Sequence, residues 1–307
     1  MVEVGKGIIC PYCGARVDKV QEDGTYKCSY CGNVSFIDIK EVTIDFRDAL
    51  NKIKAYKFKE ADDVYSNIIR EFSSTSLKIK AMALWGRILA QFGVVYVRSF
   101  DREYFVPTFA KYNPKYKSIK ESSYYNDLLN LNLDKRIKEK YINKCFELDN
   151  HYTQIEKDLK ETPVYDVFLC TKISNTTEEH PELKGYSVDK EIAEKLKEEL
   201  ERQGKKVFYS ETCVGGVHFD SQIYSAMSKS KSILVVSTCK EYLESAWVQS
   251  EWRRWLNFID VKVKNENSFF LYLPNYKDNS FTLPLSLEEA RAQYYTQDKL
   301  DLMINKS

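Results

Sequence analysis

The segment VYDVFLC, residues 164–170, is a short apolar run of the kind that a strand buried inside a parallel sheet requires. It follows Thr162-Pro163, and a proline restricts the residue before it to extended conformations, which favours a boundary between domains at this point. The segment therefore predicts the first strand of a domain that occupies residues 163–307.

Elements of alternating type follow this strand. Residues 188–200 carry an apolar stripe at helical spacing, with Ser187 as N-cap and Gly204 after the end. Further strands are predicted at residues 206–209, 232–237 and 268–273, and further helices at 219–227 and 240–258. This alternation predicts an α/β fold with a doubly wound parallel sheet. No GxGxxG or GxxxxGK[ST] motif follows the strands, which argues against a conventional Rossmann or P-loop site.

The helix predicted at residues 240–258 carries Trp247 and Glu251, four residues apart. At that spacing the two side chains lie on the same helical face, so a carboxylate stands beside an aromatic ring and the pair can form a ligand site. The alternative is that the tryptophans of this helix pack on the sheet while Glu251 is a solvated acid.

Four cysteines near the start of the chain form two copies of one motif. Cys10 and Cys13 lie in CPYCG, Cys28 and Cys31 lie in CSYCG, and fourteen residues separate the copies. Two such turns place four thiolates around one ion, which predicts a zinc ribbon over residues 1–40. Because cysteine fills all four positions, we interpret the zinc as structural, with no open position for an activated water.

Residues 41–162 have the pattern of an all-α region, with helices predicted at 44–55, 58–72, 77–95 and 135–160. Residues 56–72 resemble one unit of a tetratricopeptide-like repeat, although only one copy is present. Residues 111–144 contain nine basic and four acidic residues among several tyrosines. These residues could bind a nucleic acid strand or a nucleotide, or they could be helices with packed tyrosines and solvated lysines.

Composition limits the class of protein. The 307 residues suggest two or three domains, and 30% charged residues with a net charge of +1 do not indicate a nucleic-acid or membrane partner. The sequence has no apolar run long enough to span a membrane and no signal-peptide core. We therefore expect a cytoplasmic protein, whose eight cysteines are metal ligands or free thiols.

Residues 164 to about 300 resemble a TIR domain, the module shared by Toll and interleukin receptors, plant immune receptors and bacterial defence proteins. YDVFLC at residues 165–170 matches the first box of that family. GKKVF at residues 204–208 matches its turn into the second strand, and residues 210–219 match its long BB loop. The resemblance implies a flavodoxin-like parallel sheet, preceded here by the all-α region and the zinc ribbon.

The resemblance also implies a catalytic residue. Catalytic TIR domains cleave NAD+ and carry a glutamate four residues after a tryptophan on the helix that follows the third strand. Trp247 and Glu251 match that pattern, which implies that Glu251 is the catalytic glutamate and that Trp247 lies at the substrate.

Four further residues are implied to bind the substrate. Phe219 matches an aromatic residue at the end of the BB loop, and Ser210 begins that loop. Lys172 matches a basic residue just after the first strand, whereas Thr171 stands where many members place an aromatic residue.

The implied reaction is cleavage of the nicotinamide–ribose bond of NAD+ to nicotinamide and ADP-ribose or a cyclic ADP-ribose. Nicotinamide is already a cationic leaving group, so one carboxylate can stabilise the oxocarbenium-like transition state and fix the ribose hydroxyls. Cys170, Cys213 and Cys239 have no histidine placed to activate them in the sequence, and we interpret them as small packing residues.

Three interpretations of the whole protein follow from the resemblance. The first is a bacterial antiviral or signalling effector that becomes active when TIR domains self-associate into an oligomer, with an upstream sensor or ligand acting on the N-terminal regions. The second is a non-catalytic TIR scaffold or adaptor in which Glu251 is a surface acid. The third adds a nucleic-acid sensor, formed by the zinc ribbon and the residues rich in tyrosine and lysine, that controls either activity.

Overall fold

The structure is a computed structural model of the chain. It describes residues 2–3, 9–17, 19–21, 25–36, 43–72, 76–99, 104–176, 182, 184–210, 219–274, 283–284, 287 and 293–295. The chain folds into two compact units, Met1–Glu156 and Lys157–Ser307.

The N-terminal unit begins with four short strands. They are β1 (Val2–Glu3), β2 (Lys19–Val20), β3 (Thr25–Lys27) and β4 (Val34–Phe36). β1 pairs with β2 and β3 pairs with β4, both antiparallel. Strands of two or three residues bury little apolar surface, so these pairs depend on other contacts for stability.

Three helices follow and pack in chain order: α1 (Thr43–Lys54), α2 (Phe58–Phe72) and α3 (Leu77–Phe92). The bounds of α2 agree with the sequence prediction because Phe58, Ala61, Tyr65 and Ile68 form one buried stripe. Gly86 of α3 lies against the ring of Tyr65, where a Cβ atom would come within 2.4 Å of a ring carbon.

The prediction that α3 extends to Val95 was wrong. The helix ends at Phe92 because Gly93 takes a left-handed conformation, φ 65°, and its N–H bonds the carbonyl of Ala90. The next residues form a β-hairpin of β5 (Val94–Ser99) and β6 (Tyr104–Phe109), which the sequence analysis did not predict. The β-branched valines of β5 favour a strand once Gly93 has ended the helix.

The helical region ends with α4 (Ser123–Asn130) and α5 (Lys135–Glu161). The second of these agrees with the helix predicted at residues 135–160. In the part of the chain that the structure describes, no helix combines the length and apolar character needed to cross a membrane.

The C-terminal unit alternates strands and helices. Its elements are β7 (Tyr165–Thr171), α6 (Val188–Arg202), β8 (Val207–Tyr209), α7 (Phe219–Lys229), β9 (Ser230–Val236), α8 (Lys240–Leu243), α9 (Ala246–Asp260), β10 (Phe269–Tyr272) and β11 (Gln293–Tyr295).

The strands form a five-stranded sheet in the order β11-β10-β9-β7-β8, and every pair is parallel. In order along the chain this is 2-1-3-4-5, the flavodoxin-like arrangement, so the predicted fold class is confirmed. Two details differ from the sequence prediction. The helix predicted at residues 240–258 is divided into α8 and α9, and β11 was not predicted.

The two faces of the sheet are covered by different helices. Val167 and Leu169 of β7 belong to the apolar cluster that includes residues of α6. Side chains alternate along a strand, so Phe168 and Cys170 face the opposite side. There the Cys170 thiol contacts the carbonyl oxygen of Val248 in α9 at 3.9 Å. The helix that carries Glu251 therefore packs on the face away from α6.

Candidate metal centre and candidate active site

The structure brings Cys10, Cys13, Cys28 and Cys31 together as a metal site requires. Their four sulfur atoms lie within 4.8 Å of one another, and all four residues are buried. The Cys10–Cys31 and Cys13–Cys28 sulfur pairs are 3.6 and 3.7 Å apart. A tetrahedral site with zinc–sulfur bonds of about 2.3 Å has sulfur–sulfur edges of about 3.8 Å. The residues present therefore fit a zinc ion held by four thiolates.

The two cysteine turns have the same geometry. Gly14 donates its N–H to the Cys10 carbonyl at 2.9 Å, and Gly32 donates its N–H to the Cys28 carbonyl at 2.9 Å. Both glycines are left-handed, with φ 77° and 69°. This conformation explains why glycine follows the second cysteine of each motif.

A lysine ammonium lies against each of these glycines. Nζ of Lys54 and Nζ of Lys144 lie 2.8 and 3.0 Å from the positions that a Cβ atom would take at Gly14 and Gly32. Four thiolates around one Zn2+ have a net charge of about −2, which nearby positive charge offsets. The glycines thus allow two lysines to approach the proposed metal centre closely.

Asn33 links the cysteine cluster to the rest of the N-terminal unit. Its Nδ2 atom donates to the Cys31 sulfur at 3.4 Å, while its Oδ1 atom accepts from Trp85 Nε1 at 2.8 Å and from the Tyr96 hydroxyl at 3.2 Å. Asn33 is fully buried. Hydrogen bonds of this kind orient a metal ligand, so α3 and β5 support the ribbon. Nothing in the local sequence pattern indicated this role.

We expect Cys28→Ser to lower the zinc content from about one ion per chain to near zero, because a serine hydroxyl is a poor zinc ligand. The N-terminal unit should then melt at a lower temperature, since Asn33 couples the cluster to α3 and β5. Metal analysis of protein purified without chelators, combined with a thermal melt, measures both effects.

Cys145→Ser is the matched control, because Cys145 is a buried cysteine of the N-terminal unit outside the cluster. This variant should keep its zinc. Equal zinc content in Cys28→Ser and the unchanged protein would contradict the assignment.

A pocket of about 540 Å³ lies beside the second cysteine turn, between that turn, β6 and α5. Its lining includes Lys27, Tyr30, Phe105, Lys144 and His151. Lys144 is only 7% exposed, and the rings of Tyr30 and Phe105 meet edge to face at 5.9 Å. The volume is typical of small-molecule sites, which span about 300–1,000 Å³. The pocket offers a place for the expected upstream ligand, whose binding stays a prediction.

In the C-terminal unit, Glu251 lies in α9 and is 6% exposed. It is therefore not the solvated acid of the alternative interpretation. Trp247 lies one turn earlier on the same helix, and its ring meets that of Phe219 edge to face, with centroids 5.8 Å apart. Phe219 is the first residue of α7. The structure thus brings two of the residues predicted to bind substrate into contact, one turn from the predicted catalytic carboxylate.

The surroundings of Glu251 govern its charge. The pKa of Glu251 is raised to about 7, chiefly by burial and also by the negative charge of Asp220. A hydrogen bond from Cys170 and the positive charge of Arg254 oppose this shift. Arg254 donates to an oxygen of Asp220 at 2.7 Å, and the two side chains are 1% and 4% exposed. Because Arg254 is shared with Asp220, it stabilises the Glu251 charge only in part.

The remaining predicted site residues follow β7 and β8. Thr171 is buried and donates its hydroxyl to the Val236 carbonyl at 3.2 Å, on the α6 side of the sheet. Lys172 is the next residue, and Ser210, 8% exposed, follows β8. β7 and β8 are parallel neighbours, so Lys172 and Ser210 lie at the same end of the sheet, next to the carboxyl ends of these strands. Residues 211–218, which contain most of the predicted BB loop and Cys213, lie outside the described residues.

Asp189 is another buried carboxylate that sequence reasoning missed. It lies in the first turn of α6, is fully buried, and accepts hydrogen bonds from the backbone N–H and the hydroxyl of Thr238 at 2.8 and 2.6 Å. Burial raises the pKa of Asp189 to about 6, although the bonds from Thr238 oppose the shift. Thr238 follows β9, so Asp189 joins the start of α6 to the end of that strand.

The parallel sheet and its strand order define an α/β domain of the flavodoxin-like class. Residues 186–298 match the family model described as a TIR domain. The match includes Phe219, Trp247 and Glu251 and begins after β7. No curated protein and no solved structure gave a significant match to the chain. The C-terminal unit therefore carries a TIR domain.

The burial of Glu251 should make the stability of the TIR domain depend on pH. Since the pKa of Glu251 is raised to about 7 in the folded state, this state holds its proton more tightly than the unfolded state, and the contribution of Glu251 to stability falls as pH rises from about 4.5 to 7. Above about pH 7, Glu251→Gln therefore removes a destabilisation of the folded state of up to about 3 kcal/mol, because glutamine has no charge to bury. We expect Glu251→Gln to melt above the unchanged protein at pH 8 and close to it at pH 5.

Thermal melts at both pH values measure this difference, and Glu241→Gln is the control because Glu241 is an exposed glutamate of α8. That variant should follow the unchanged protein at both pH values. If the difference in melting temperature between Glu251→Gln and the unchanged protein does not grow from pH 5 to pH 8, the carboxylate is ionised in the folded state without a loss of stability.

Proposed function

We propose that the TIR domain is an NAD+ glycohydrolase that cleaves the nicotinamide–ribose bond, with Glu251 as its catalytic residue. The observation that carries the proposal is a carboxylate that is 6% exposed and lies one turn from the edge-to-face pair of Trp247 and Phe219. A buried carboxylate beside aromatic rings combines negative charge with surfaces that a planar, cationic nicotinamide ring can contact.

In the proposed reaction, the bond between C1′ of the ribose and the nicotinamide nitrogen breaks, and its electron pair leaves with nicotinamide. Positive charge develops on the ribose, where the Glu251 carboxylate would stabilise it and accept hydrogen bonds from the ribose hydroxyls. Water then adds its oxygen to C1′ and releases a proton, giving ADP-ribose. Attack by another nucleophilic atom of the same molecule would give a cyclic ADP-ribose instead.

We assign substrate contacts to Trp247 and Phe219, and to Lys172 and Ser210 at the carboxyl ends of β7 and β8. Lys172 and Ser210 lie at the edge of the sheet where doubly wound domains bind their ligands. Thr171 contributes in this proposal by holding the end of β7 against β9 through its bond to Val236.

The proposed activity depends on assembly and on the N-terminal unit. We propose that TIR domains self-associate through residues 210–219 and that a ligand of the N-terminal unit promotes this oligomer, as a bacterial antiviral or signalling effector in the cytoplasm would require. A site shared between chains forms by mass action, so activity would rise with protein concentration. The pocket beside the second cysteine turn is the place we assign to such a ligand.

A TIR scaffold that signals by contact alone is the second candidate. Val261 and Val263, just after α9, are 55% and 61% exposed, and exposed apolar residues suit a contact surface. A scaffold does not need NAD+ cleavage, so the assay below separates the two candidates.

We expect purified protein at high concentration to release nicotinamide from NAD+ and Glu251→Gln to lose at least about 10²-fold of this activity, about 3 kcal/mol of transition-state stabilisation. Glutamine keeps the size of the side chain but removes the negative charge that faces the developing cation. Nicotinamide release measured by chromatography, over a range of protein concentrations, gives both rates.

Glu241→Gln should retain full activity, because Glu241 is exposed on α8. If the unchanged protein cleaves NAD+ and Glu251→Gln does so within about tenfold, Glu251 is not the catalytic group. Absence of cleavage at every concentration, with zinc bound and the fold intact, would favour the scaffold.

The proposed reaction should also depend on pH. Since burial raises the pKa of Glu251 to about 7 and the ionised form is the one that stabilises the cation, kcat/KM should rise with pH and level off above about pH 8. At pH 6 the rate should be roughly tenfold below its maximum. Initial rates between pH 5.5 and 8.5, corrected for NAD+ loss without protein, test this, and a flat profile over that range would contradict it.

A further inference from the structure

We propose that Asp189 is a positioning residue, which fixes α8 and through it the start of α9, and so places Trp247 for substrate binding. This inference rests on the proposed function, in which Trp247 contacts the substrate. Asp189 lies in α6 and takes no part in the contact between Trp247 and Phe219. It acts on the site through a series of hydrogen bonds within the C-terminal unit.

The first step in this series is the attachment of α8 to α6. Thr238, which precedes α8, donates its backbone N–H and its hydroxyl to the same oxygen of Asp189, at 2.8 and 2.6 Å. Asp189 is fully buried, and hydrogen bonds to a buried carboxylate are stronger than the same bonds in water. The residue that leads into α8 is therefore held at a fixed position relative to α6.

α8 depends on this attachment because it has little stability of its own. It contains four residues, and its N-cap, Cys239, makes no side-chain capping bond. A helix this short is not stable in isolation. The fully buried Leu243 anchors its last residue. At the other end, the bonds of Thr238 to Asp189 act together with the bond from the Ser237 hydroxyl to the Cys239 carbonyl, 2.9 Å long.

Two further hydrogen bonds join α8 to α9. Ser245 is the N-cap of α9, but its hydroxyl makes no capping bond and instead donates to the Tyr242 carbonyl of α8 at 2.8 Å. Trp252 donates its Nε1–H to the Leu243 carbonyl at 3.0 Å. Trp247 is the second residue of α9 and lies next to the first of these bonds. A displacement of α8 therefore moves the start of the helix that carries Trp247.

Paired variants at Asp189 and Thr238 test the proposal. Asp189→Ala removes the acceptor, whereas Asp189→Asn keeps an acceptor oxygen in a side chain of the same size. Thr238→Val removes the hydroxyl donor, whereas Thr238→Ser keeps it. Thr238 is partly exposed, so its variants carry the test if Asp189→Ala does not fold. Glu191→Ala is the control, because Glu191 is an exposed acid in the first turn of the same helix.

The first measurement separates KM from kcat in NAD+ cleavage, well below the melting temperature of each variant. We expect Asp189→Ala to raise KM about tenfold and Thr238→Val about fivefold, with kcat changed less than about threefold, since a displaced Trp247 weakens substrate binding. Asp189→Asn, Thr238→Ser and Glu191→Ala should stay within about twofold of the unchanged protein. Combining Asp189→Ala with Thr238→Val should raise KM no further, because the hydroxyl acts through the carboxylate. Unchanged KM in Asp189→Ala and Thr238→Val, or additive effects of the two, would overturn the proposal.

The second measurement, amide hydrogen exchange followed by mass spectrometry, does not need activity. Peptides from residues 238–249 should exchange about tenfold faster in Asp189→Ala than in the unchanged protein, while peptides of β7 and β9 keep their rates. Unchanged exchange in residues 238–249, or an equal increase across the whole TIR domain, would overturn the proposal. If the unchanged protein does not cleave NAD+, the proposed function fails, whereas this measurement still decides whether Asp189 holds α8.

Discussion

Burial of the Glu251 carboxylate against β7 is the constraint on which the arrangement of the TIR domain depends. A buried charge costs several kcal/mol unless partners compensate for it, and here the compensation is divided. Arg254 lies close but is bound to Asp220, and the Cys170 thiol is a weak donor. A complete ion pair would lower the pKa of Glu251 and keep it ionised well below neutral pH, but it would also offset the charge that the proposed cationic transition state requires. The partial compensation leaves the carboxylate ready to ionise near neutral pH while its charge stays available.

In the N-terminal unit, the first strands are too short to form a core of their own. The cysteine cluster and the hydrogen bonds of Asn33 to Trp85 and Tyr96 supply the missing contacts. Lys54 and Lys144 come from helices far apart in the sequence and approach the two cysteine turns. The ribbon and the helices of this unit are therefore interdependent, although the sequence pattern describes them as separate regions.

Much of the fold could be predicted because the spacing of apolar residues in the sequence follows the spacing of buried positions in a helix or strand. The bounds of α2, which match the prediction, are an example. The error after Phe92 arose because the valines of β5 continue an apolar run, and only Gly93 marks the change from helix to strand. In the candidate site, the proximity of Trp247 and Glu251 could be predicted from their spacing within one helix. Cys170 and Asp220 act on Glu251 from other elements, and no spacing rule reveals a contact that exists only after the sheet has formed.

The bond between Asp189 and Thr238 has a consequence for where this domain can bind a ligand. In doubly wound sheets the usual binding crevice opens between the two strands at which the strand order reverses, here β7 and β9. Asp189 reaches across the carboxyl end of that gap and fastens the loop after β9 to α6 with two hydrogen bonds. These bonds tie the α6 side of the crevice together, which favours entry of a ligand from the flank of the sheet on which α9 lies.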